Sequence, residues 1–360
     1  MLRDVTPPAP DAEDALRVTV VRRTVDPDGC IDRVGCWLRT ASQGTTGGHH
    51  EVDVHSPHGA QRQRGGRKPP VRTIAITGSA SGIGAATRAQ LEASGHRIIG
   101  VDLEGAEVNA DLADADHRAR AIDEVLDACG GRLDGLVTSA GVGPPFDPAT
   151  MLTINWFGTE AFLTGLRDAL AASEGIAKVV AVSSNSTTIT PNLPADLVEA
   201  CLALDHERAR DLLADAGELA MPVAYACSKL AVARYVRRHA PNDDWAGAGI
   251  RLNAIAPGAT LTPLLQSGLD DELYGELIRG FAVPTGGFGT PAQIADWIVM
   301  MLSDSADFLC GSIIFVDGGS DAMVRPDAWP ATFEIDLGLS LIHISEPTRL
   351  ESKSRMPACA

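Results

Sequence analysis

Residues 73–84 read Thr-Ile-Ala-Ile-Thr-Gly-Ser-Ala-Ser-Gly-Ile-Gly, and this stretch decides the fold. The apolar run at 73–77 is typical of a β-strand buried on both faces, and AATRAQLEAS, which follows, has helical spacing. Glycines between a strand and a helix permit a tight turn and bring an anion to the free N–H groups at the helix start. Because these glycines lie between a strand and a helix, we predict a dinucleotide phosphate site at Gly78, Ser79, Ala80, Ser81, Gly82 and Ile83. Their spacing is G-x-x-x-G-x-G rather than G-x-G-x-x-G, which narrows the family.

The same alternation of strand and helix continues to about residue 325. We predict strands at 73–77, 97–102, 107–110, 133–139, 178–184, 250–256 and 312–317. Helical patterns between them include HRARAIDEVLDAC, TEAFLTGLRDALAAS and PAQIADWIVMMLSD. This predicts an α/β fold: a single Rossmann-type, doubly wound domain with a seven-stranded parallel sheet and helices on both faces.

The two ends of the chain differ from this middle. Residues 1–70 are rich in Gly, Pro, Gln, Arg and His, which predicts a disordered extension with at most a short strand at 18–25. A histidine tract there could hold a metal, but we favour a solvated linker and predict no metal site; its members are His49, His50, His55 and His58. LSLIHISEPTR resembles a translated sequencing adapter, so we expect residues 339–360 to be non-native. We also expect residues 1–70 to be upstream sequence that was translated from a wrongly assigned start codon. The predicted catalytic domain is therefore 71–338.

Composition excludes several classes of protein. The 360 residues carry 47 acids and 30 bases, a net charge of −17, whereas a nucleic-acid-binding protein usually has a basic surface. No apolar run approaches the roughly 20 residues of a membrane span. The seven cysteines form no C-x-x-C pair, which argues against a zinc site or a disulfide framework. We predict a cytoplasmic protein that binds neither nucleic acid nor membrane.

Acidic residues after the second and third strands predict the nucleotide that binds. Asp102 ends the second strand, where a carboxylate accepts hydrogen bonds from ribose hydroxyls and repels a 2′-phosphate. No Arg or Lys occurs at 79–83, and Leu103 follows Asp102, so we predict NAD rather than NADP. The alternative is that Asp102 only caps a turn. Asp111 and Leu112 could frame the adenine, although Asp111 could equally cap the next helix.

Four polar residues form the candidate catalytic set. Tyr225 and Lys229 lie one helical turn apart on one face, so the ammonium group can stabilise a phenolate that exchanges a proton with substrate. Ser184 closes the fifth strand and can hydrogen-bond the substrate oxygen, whereas Ser183 should point into the sheet. Asn155 is either a buried amide bound to backbone or the support of a water that relays protons from Lys229.

These motifs, in this order, resemble the short-chain dehydrogenase/reductase family. The matching residues are TGSASGIG, Asp102, Asp111-Leu112, SAG at 139–141, Asn155, Ser184, Tyr225, Lys229 and APG at 256–258. The resemblance implies an NAD(P)-dependent oxidoreductase acting on CH–OH groups, with Ser184, Tyr225 and Lys229 as catalytic triad and Asn155 as a fourth member. It implies that Ser184 and Tyr225 bind substrate. Lys229 would hold the nicotinamide ribose, and the remaining cofactor contacts would be Gly141, Pro257, Gly258 and Thr262. One departure is Thr138-Ser139 where the family has Asn-Asn; we expect hydroxyls to replace part of the amide bonding.

A second departure is the separation of Ser184 and Tyr225, which is 41 residues where the family usually has about a dozen. The extra segment, 191–222, is predicted to be an acidic helical insertion. This insertion, together with ATRAQLEASGHRIIGVD, SAGVGPP and RLNAIAPGATLTPLLQSGL, resembles the bacterial subgroup that acts on 3α-hydroxysteroids and carbonyl compounds. That resemblance implies interconversion of a secondary alcohol and a ketone. Expected walls of an apolar slot, unless they are ordinary core, are Val142, Pro144, Pro145, Trp156, Leu261, Leu264 and Leu265.

Two alternatives to this function remain open, and the assembly is not fixed. One alternative is a family member acting on a sugar or acyl substrate, and the other is a catalytically silent nucleotide-binding protein. The resemblance also implies a homodimer or homotetramer. Such copies pair through the helices of Asn155 and Tyr225, a surface that the insertion would cover or replace.

Overall fold

A computed structural model describes residues 24–25, 31–33, 70–271 and 274–331. The chain divides into two units, Met1–Arg67 and Lys68–Ala360. In the first unit the described elements are β1 (Thr24–Val25) and β2 (Ile31–Arg33), which pair antiparallel. The strand predicted at 18–25 is described only at its last two residues. The histidine tract at 49–58 and the tail at 339–360 lie outside the described residues.

Seven parallel strands form the sheet of the second unit. They are β3 (Thr73–Thr77), β4 (Arg97–Asp102), β5 (Val108–Asn109), β6 (Gly135–Thr138), β7 (Ala177–Val182), β8 (Ile250–Pro257) and β9 (Ile313–Val316). Their spatial order is β5-β4-β3-β6-β7-β8-β9, so the order reverses beside β3. The predicted doubly wound sheet is thereby confirmed. Such a reversal leaves a crevice at the carboxyl ends of the central strands, which is where ligands bind in open α/β sheets.

Helices cover both faces of this sheet. The α-helices up to the insertion are α1 (Gly82–Ala93), α2 (Ala115–Cys129), α3 (Pro148–Leu152), α4 (Thr159–Gly165), α5 (Arg167–Ala171) and α6 (Ser186–Ile189). Those that follow are α7 (Ala195–Leu202), α8 (His206–Ala214), α9 (Ala220–His239), α10 (Pro263–Leu269), α11 (Tyr274–Arg279), α12 (Pro291–Leu302) and α13 (Ser320–Val324). Turns of π-helix span Thr153–Gly158 and Asp243–Gly247, and turns of 3₁₀-helix span Gly217–Leu219 and Asp304–Ala306. No helix of the described residues has the length and apolar character to cross a membrane.

Strand periodicity assigns the core side chains to two faces. Ile74 and Ile76 of β3 pack in one buried cluster with Leu91 of α1 and Ile298 of α12. Ala75, between them, belongs to the other cluster, which includes Val232 of α9 and side chains of α2 and α4. Because neighbouring strand residues point to opposite faces, the continuous apolar run of β3 supplies both layers at once.

The segment at 191–222 is helical, as predicted. It forms α7, α8, the 3₁₀ turn at Gly217–Leu219 and the first residues of α9. Leu197, Val198 and Cys201 of α7 are buried in the cluster that includes α9. On the surface, Glu199 of α7 accepts hydrogen bonds from Arg234 and Arg238 of α9. The insertion therefore packs along the helix that carries Tyr225 and Lys229.

Candidate active site

A cleft of about 740 Å³ lies at the carboxyl edge of the sheet. It is lined by segments that follow β3, β4, β6, β7 and β8, together with α9 and the α10–α11 region. The structure brings most of the predicted site residues to this one cleft: Gly78, Ser81, Gly82, Ile83, Asp102, Asp111, Leu112, Gly141, Ser184, Tyr225, Lys229, Pro257, Gly258 and Thr262. Ser79, Ala80 and Asn155 do not line it.

The glycine-rich turn is shaped by close backbone approaches. Gly78 has a φ of +70°, and a Cβ there would lie 2.7 Å from the amide nitrogen of Ala140. A Cβ on Gly84 would lie 1.9 Å from the carbonyl oxygen of Gly78. Ser81 is the N-cap of α1 and makes no side-chain cap hydrogen bond, so the N–H groups of the first turn remain available to an anion. The turn therefore fits a pyrophosphate group.

Ser79 and Ala80 contribute to the turn itself rather than to the cleft surface. The Ser79 hydroxyl is turned toward β4, because a Cβ on Gly100 would lie 2.4 Å from it. The Ala80 N–H donates to Oδ2 of Asp102 at 2.8 Å. Neither residue lines the cleft, because only part of a tight turn can face a ligand, and their contact with the cofactor stays a prediction.

Acidic side chains mark one end of the cleft. Oδ1 of Asp102 accepts from the N–H of Leu103 at 2.7 Å, while both Asp102 and Asp111 line the cleft. Asp111 does not cap α2, because Asp114 does so by accepting from the N–H groups of Asp116 and His117. Among the described lining residues the charged ones are these two acids and Lys229. This end therefore offers carboxylates for hydroxyl groups, and its described lining residues offer no cation for a 2′-phosphate.

Ser184, Tyr225 and Lys229 meet deeper in the cleft. Tyr225 is the sixth residue of α9, and Lys229 follows one turn later. The hydroxyl of Ser184 hydrogen-bonds the phenol of Tyr225 and accepts from the N–H of Ser186 at 3.1 Å. Nζ of Lys229 donates to the carbonyl oxygen of Val182 at 3.1 Å. Ser183 does not share in this group, because its hydroxyl donates to the Lys229 carbonyl at 2.8 Å.

Burial changes the pKa of both titratable groups. It lowers the pKa of Lys229 from 10.5 to about 8, because the charged ammonium is taken out of water. It raises the pKa of the Tyr225 phenol, and the hydrogen bond from Ser184 opposes that rise. In the chain by itself, then, the phenolate is disfavoured. Desolvation is the largest effect on this phenol. The predicted stabilisation of a phenolate by the Lys229 ammonium stays a prediction.

Asn155 lies behind the cleft in the π-helical turn at Thr153–Gly158. Its Oδ1 accepts from the N–H of Val142 at 2.8 Å, and its Nδ2 donates to the carbonyl of the same residue at 2.9 Å. A Cβ on Gly141 would lie 3.1 Å from Oδ1 of Asn155 and 3.2 Å from Nζ of Lys229. The amide is therefore bound to backbone, and its support of a proton-relay water stays a prediction.

The departure at 138–139 has a specific structural outcome. The Ala140 N–H donates to the hydroxyl of Thr77 at 3.2 Å and not to Thr138. The hydroxyl of Thr138 is buried and has no hydrogen-bond partner among the described residues. The expected replacement of amide bonding by hydroxyls therefore does not occur at Thr138.

The rest of the cleft wall is largely apolar. Of the expected walls, those that line it are Val142, Pro144, Leu264 and Leu265. Trp156 does not, because its indole is fully buried and donates to the Cys201 carbonyl at 2.7 Å. Leu261 is 49% exposed and, like Pro145, lies outside the cleft. Walls that the sequence analysis missed are Phe146, Ile154, Ile189, Ile278 and Phe281. Of these, Ile189 could have been predicted from the sequence, because it is an apolar residue only five positions after Ser184.

Comparison with known proteins gives a consistent family. The family described as Enoyl-(Acyl carrier protein) reductase matches residues 213–321. The chain is 42% identical over 257 residues to the 3-alpha-hydroxysteroid dehydrogenase/carbonyl reductase of Comamonas testosteroni, covering 70% of this chain and 98% of the relative. It is 31% identical over 269 residues to the cis-4-hydroxycyclohexanecarboxylate dehydrogenase of Sinomonas cyclohexanicum, covering 70% and 97%.

A solved structure extends this likeness to three dimensions. The 3-alpha-hydroxysteroid dehydrogenase from Pseudomonas sp. B-0831, complexed with NADH, is 44% identical, with a TM-score of 0.67 over 72% of this chain and 100% of that one. The chain therefore belongs to the short-chain dehydrogenase/reductase family of oxidoreductases.

Proposed function

We propose that this protein interconverts a secondary alcohol and a ketone with NAD as cofactor. Its proposed substrate is a 3α-hydroxysteroid and the matching 3-ketosteroid, or another bulky apolar carbonyl compound. The observation that carries the proposal is the position of Ser184, Tyr225 and Lys229 between two unlike halves of one cleft. One half presents Asp102 beside the glycine-rich turn, and the other is lined by apolar side chains.

The chemistry of the chain follows from these three residues. The hydroxyl of Ser184 holds the substrate oxygen, and the phenol of Tyr225 takes its proton in oxidation or returns one to the carbonyl in reduction. Bound NAD supplies the acceptor and donor of hydride. Because burial raises the pKa of Tyr225, proton removal needs positive charge nearby. Lys229, one helical turn along α9, is the group that supplies it.

The residues present fit NAD better than NADP. Asp102 closes the adenosine end with a carboxylate, and the described lining residues place no arginine or lysine beside it. A 2′-phosphate would meet this negative charge without a compensating cation. The relative from Pseudomonas sp. B-0831, solved with NADH, supports the same choice.

The substrate half supports a neutral, apolar compound. Its walls include Phe146, Ile154, Leu264 and Phe281. A sugar would need more hydrogen-bonding groups, and an acyl carrier would need a basic docking surface. The names of the relatives from Comamonas testosteroni and Sinomonas cyclohexanicum, both acting on hydroxyl groups of ring compounds, support a cyclic alcohol.

A second copy of the chain is the proposed partner, in a homodimer rather than a tetramer. The outer side of α9 is covered by α7 and α8, so the pairing surface through this helix is replaced by the insertion. Trp297 and Met300 of α12 and the nearby Phe308, in contrast, are exposed apolar side chains beside the edge strand β9. Light scattering should give a dimer, and Phe308→Asp with Trp297→Asp should give a monomer; a tetramer would contradict this assembly.

We also propose a cytoplasmic location. The four cysteines among the described residues are free thiols, as expected in a reducing compartment: Cys129, Cys201, Cys227 and Cys310.

The deciding experiment is steady-state turnover by purified protein with NAD and with NADP. The panel contains a 3α-hydroxysteroid, its 3β epimer, cyclohexanol, a sugar alcohol and an acyl thioester. We expect the best kcat/KM with NAD and the 3α-hydroxysteroid. A higher kcat/KM with the sugar alcohol or the acyl thioester would contradict the proposed substrate class. NADH binding without turnover of any compound would favour the catalytically silent alternative.

A further inference from the structure

Helix α6 connects the proposed substrate-binding serine to the apolar wall. It spans Ser186–Ile189, directly after Ser184, and Ile189 lines the cleft. A helix of four residues does not hold its own conformation in water, and Asn185, its N-cap, makes no side-chain cap hydrogen bond. The position of α6 must therefore come from contacts with other elements.

Helix α6 packs against α9, and side-chain hydrogen bonds reach it from the segment at 317–321, which leads into α13 near the end of the described chain. The hydroxyl of Thr188 donates to Oδ1 of Asp321, and Nδ2 of Asn185 lies 3.5 Å from Oδ2 of Asp317. That same Oδ2 accepts from the backbone N–H of Asp321 at 2.6 Å. Asp317 thus contacts the N-cap of α6, and Asp321 binds Thr188 within the helix.

Asp321 is itself fixed by its surroundings. It is 8% exposed, and Arg325 binds it with both sides of the guanidinium, Nε to Oδ1 at 2.5 Å and Nη2 to Oδ2 at 3.0 Å. The guanidinium in turn lies 5.6 Å from the ring centroid of Phe315 on β9. A two-pronged arginine–carboxylate pair of this kind sets direction as well as charge. Asp321 is therefore a rigid acceptor for Thr188.

The position of α6 bears directly on Ser184. The Ser186 N–H donates to the Ser184 hydroxyl at 3.1 Å, and the Thr187 hydroxyl donates to the Ser184 carbonyl at 2.9 Å. A shift of α6 would move both donors and turn the serine hydroxyl away from Tyr225. We propose that Asp321 is a positioning residue for Ser184, acting through Thr188 and α6. This inference rests on the proposed function, in which Ser184 holds the substrate oxygen.

Two variants, Thr188→Val and Asp321→Asn, test the inference, and two others serve as controls. Thr188→Val removes the hydroxyl and leaves the Asp321–Arg325 pair intact, and Thr188→Ser restores a hydroxyl. Asp321→Asn removes the charge at similar size. We expect Thr188→Val and Asp321→Asn each to lower kcat about tenfold, because small misplacements of a catalytic group are costly, while the Kd for NADH changes less than about twofold. Thr188→Ser should recover most of kcat, and Asp327→Asn, at an exposed acid of the same segment, should change nothing.

Hydrogen exchange of residues 184–190 separates this inference from the proposed function. We expect faster exchange in this segment in Thr188→Val and Asp321→Asn than in wild type, with exchange in α1 unchanged. Wild type that turns over no alcohol or ketone would overturn the proposed function, while exchange would still report on α6. Unchanged exchange and unchanged kcat in folded Thr188→Val would overturn the inference. Equal losses of kcat, NADH binding and thermal stability would do so too, because they would show a general structural role.

Discussion

Asn155 hydrogen-bonds the backbone of Val142 with both ends of its amide, at 2.8 Å and 2.9 Å. The pair joins a π-helical turn to the segment after β6, which lines the cleft at Gly141 and Gly143. A π-turn inside a helix often accompanies a functional site. Here it places the amide beside the wall segment rather than in the cleft.

Removing this amide should harm both stability and turnover. We expect Asn155→Ala to lower the free energy of unfolding by about 2–3 kcal/mol and to lower kcat about tenfold, since the bonds of the amide to the Val142 backbone and to Oγ of Ser228 are lost. Urea unfolding and steady-state kinetics measure the two effects. Asn253 is the matched control, because its amide also bonds backbone, at Leu309 and Ser312, but away from the cleft. Asn253→Ala should lose stability and keep kcat; the same loss of kcat in both would contradict the assignment.

The phenol of Tyr225 should be indispensable for proton transfer. We expect Tyr225→Phe to lower kcat by about 10²–10⁴-fold, the usual cost of losing a general acid–base, while NADH binds nearly as before. Fluorescence titration measures the binding. Tyr235→Phe, in the buried part of the same helix, should retain activity. Near-normal turnover by Tyr225→Phe would refute the proton-transfer role.

Burial of Lys229 should leave a mark on the pH dependence of stability. Its pKa falls from 10.5 to about 8 in the folded chain. Between these pH values the unfolded chain keeps a proton that the folded chain has released, so the folded state gains stability as pH rises. The gain is about 3 kcal/mol at most. Urea unfolding from pH 7 to 10.5 should show this rise in wild type relative to Lys229→Met; parallel curves would show that the lysine is not desolvated.

The carboxylate of Asp102 should set the choice of nucleotide. Asp102→Asn keeps an oxygen that can accept from the Ala80 N–H and removes the charge that repels a 2′-phosphate. We expect the ratio of kcat/KM for NAD to that for NADP to fall at least about tenfold. Asp111→Asn, at the other acid of the cleft, should change this ratio much less. An unchanged ratio in Asp102→Asn would show that discrimination arises elsewhere.

The hydroxyl of Thr138 should be dispensable. It is buried without a partner among the described residues, so Thr138→Val replaces an unsatisfied group by a methyl of similar volume. We expect a gain of about 1 kcal/mol in the free energy of unfolding. Thr77→Val is the control, because the Thr77 hydroxyl accepts from the Ala140 N–H, and its loss should cost about 1 kcal/mol. Destabilisation by both variants would indicate that Thr138 has a partner after all.

Elements that depend on local pattern could be predicted from the sequence. β3 and β4 have the bounds that their apolar runs indicate, 73–77 and 97–102. Gly78, which follows β3, and Asp102, the last residue of β4, both line the cleft because the carboxyl ends of parallel strands share one edge. The bounds of shorter strands were predicted less accurately. β5 is only Val108–Asn109, where 107–110 was predicted, because a two-residue edge strand has little periodicity.

The direction of side chains around a helix was harder to predict from the sequence than the bounds of the longer strands. Trp156 follows Asn155 by one residue in the π-helical turn, and the rotation between successive helical residues turns it from the wall segment into the core. Its bond to the carbonyl of Cys201 joins it to the insertion, a partner 45 residues away. The contact between Thr188 and Asp321 spans 133 residues and leaves no mark in either local sequence. Such long-range pairs follow from tertiary packing and not from spacing.

The insertion between Ser184 and Tyr225 has a consequence for the entropy of the unfolded chain. Loop-closure entropy grows with the logarithm of length, so a connection of 41 residues instead of about a dozen costs only about 1 kcal/mol more to close. The contacts of α7 with α8 are local in sequence, and local contacts form early and fast. A preformed helical pair shortens the effective loop, so the serine and tyrosine can be separated widely in sequence with little loss in folding rate.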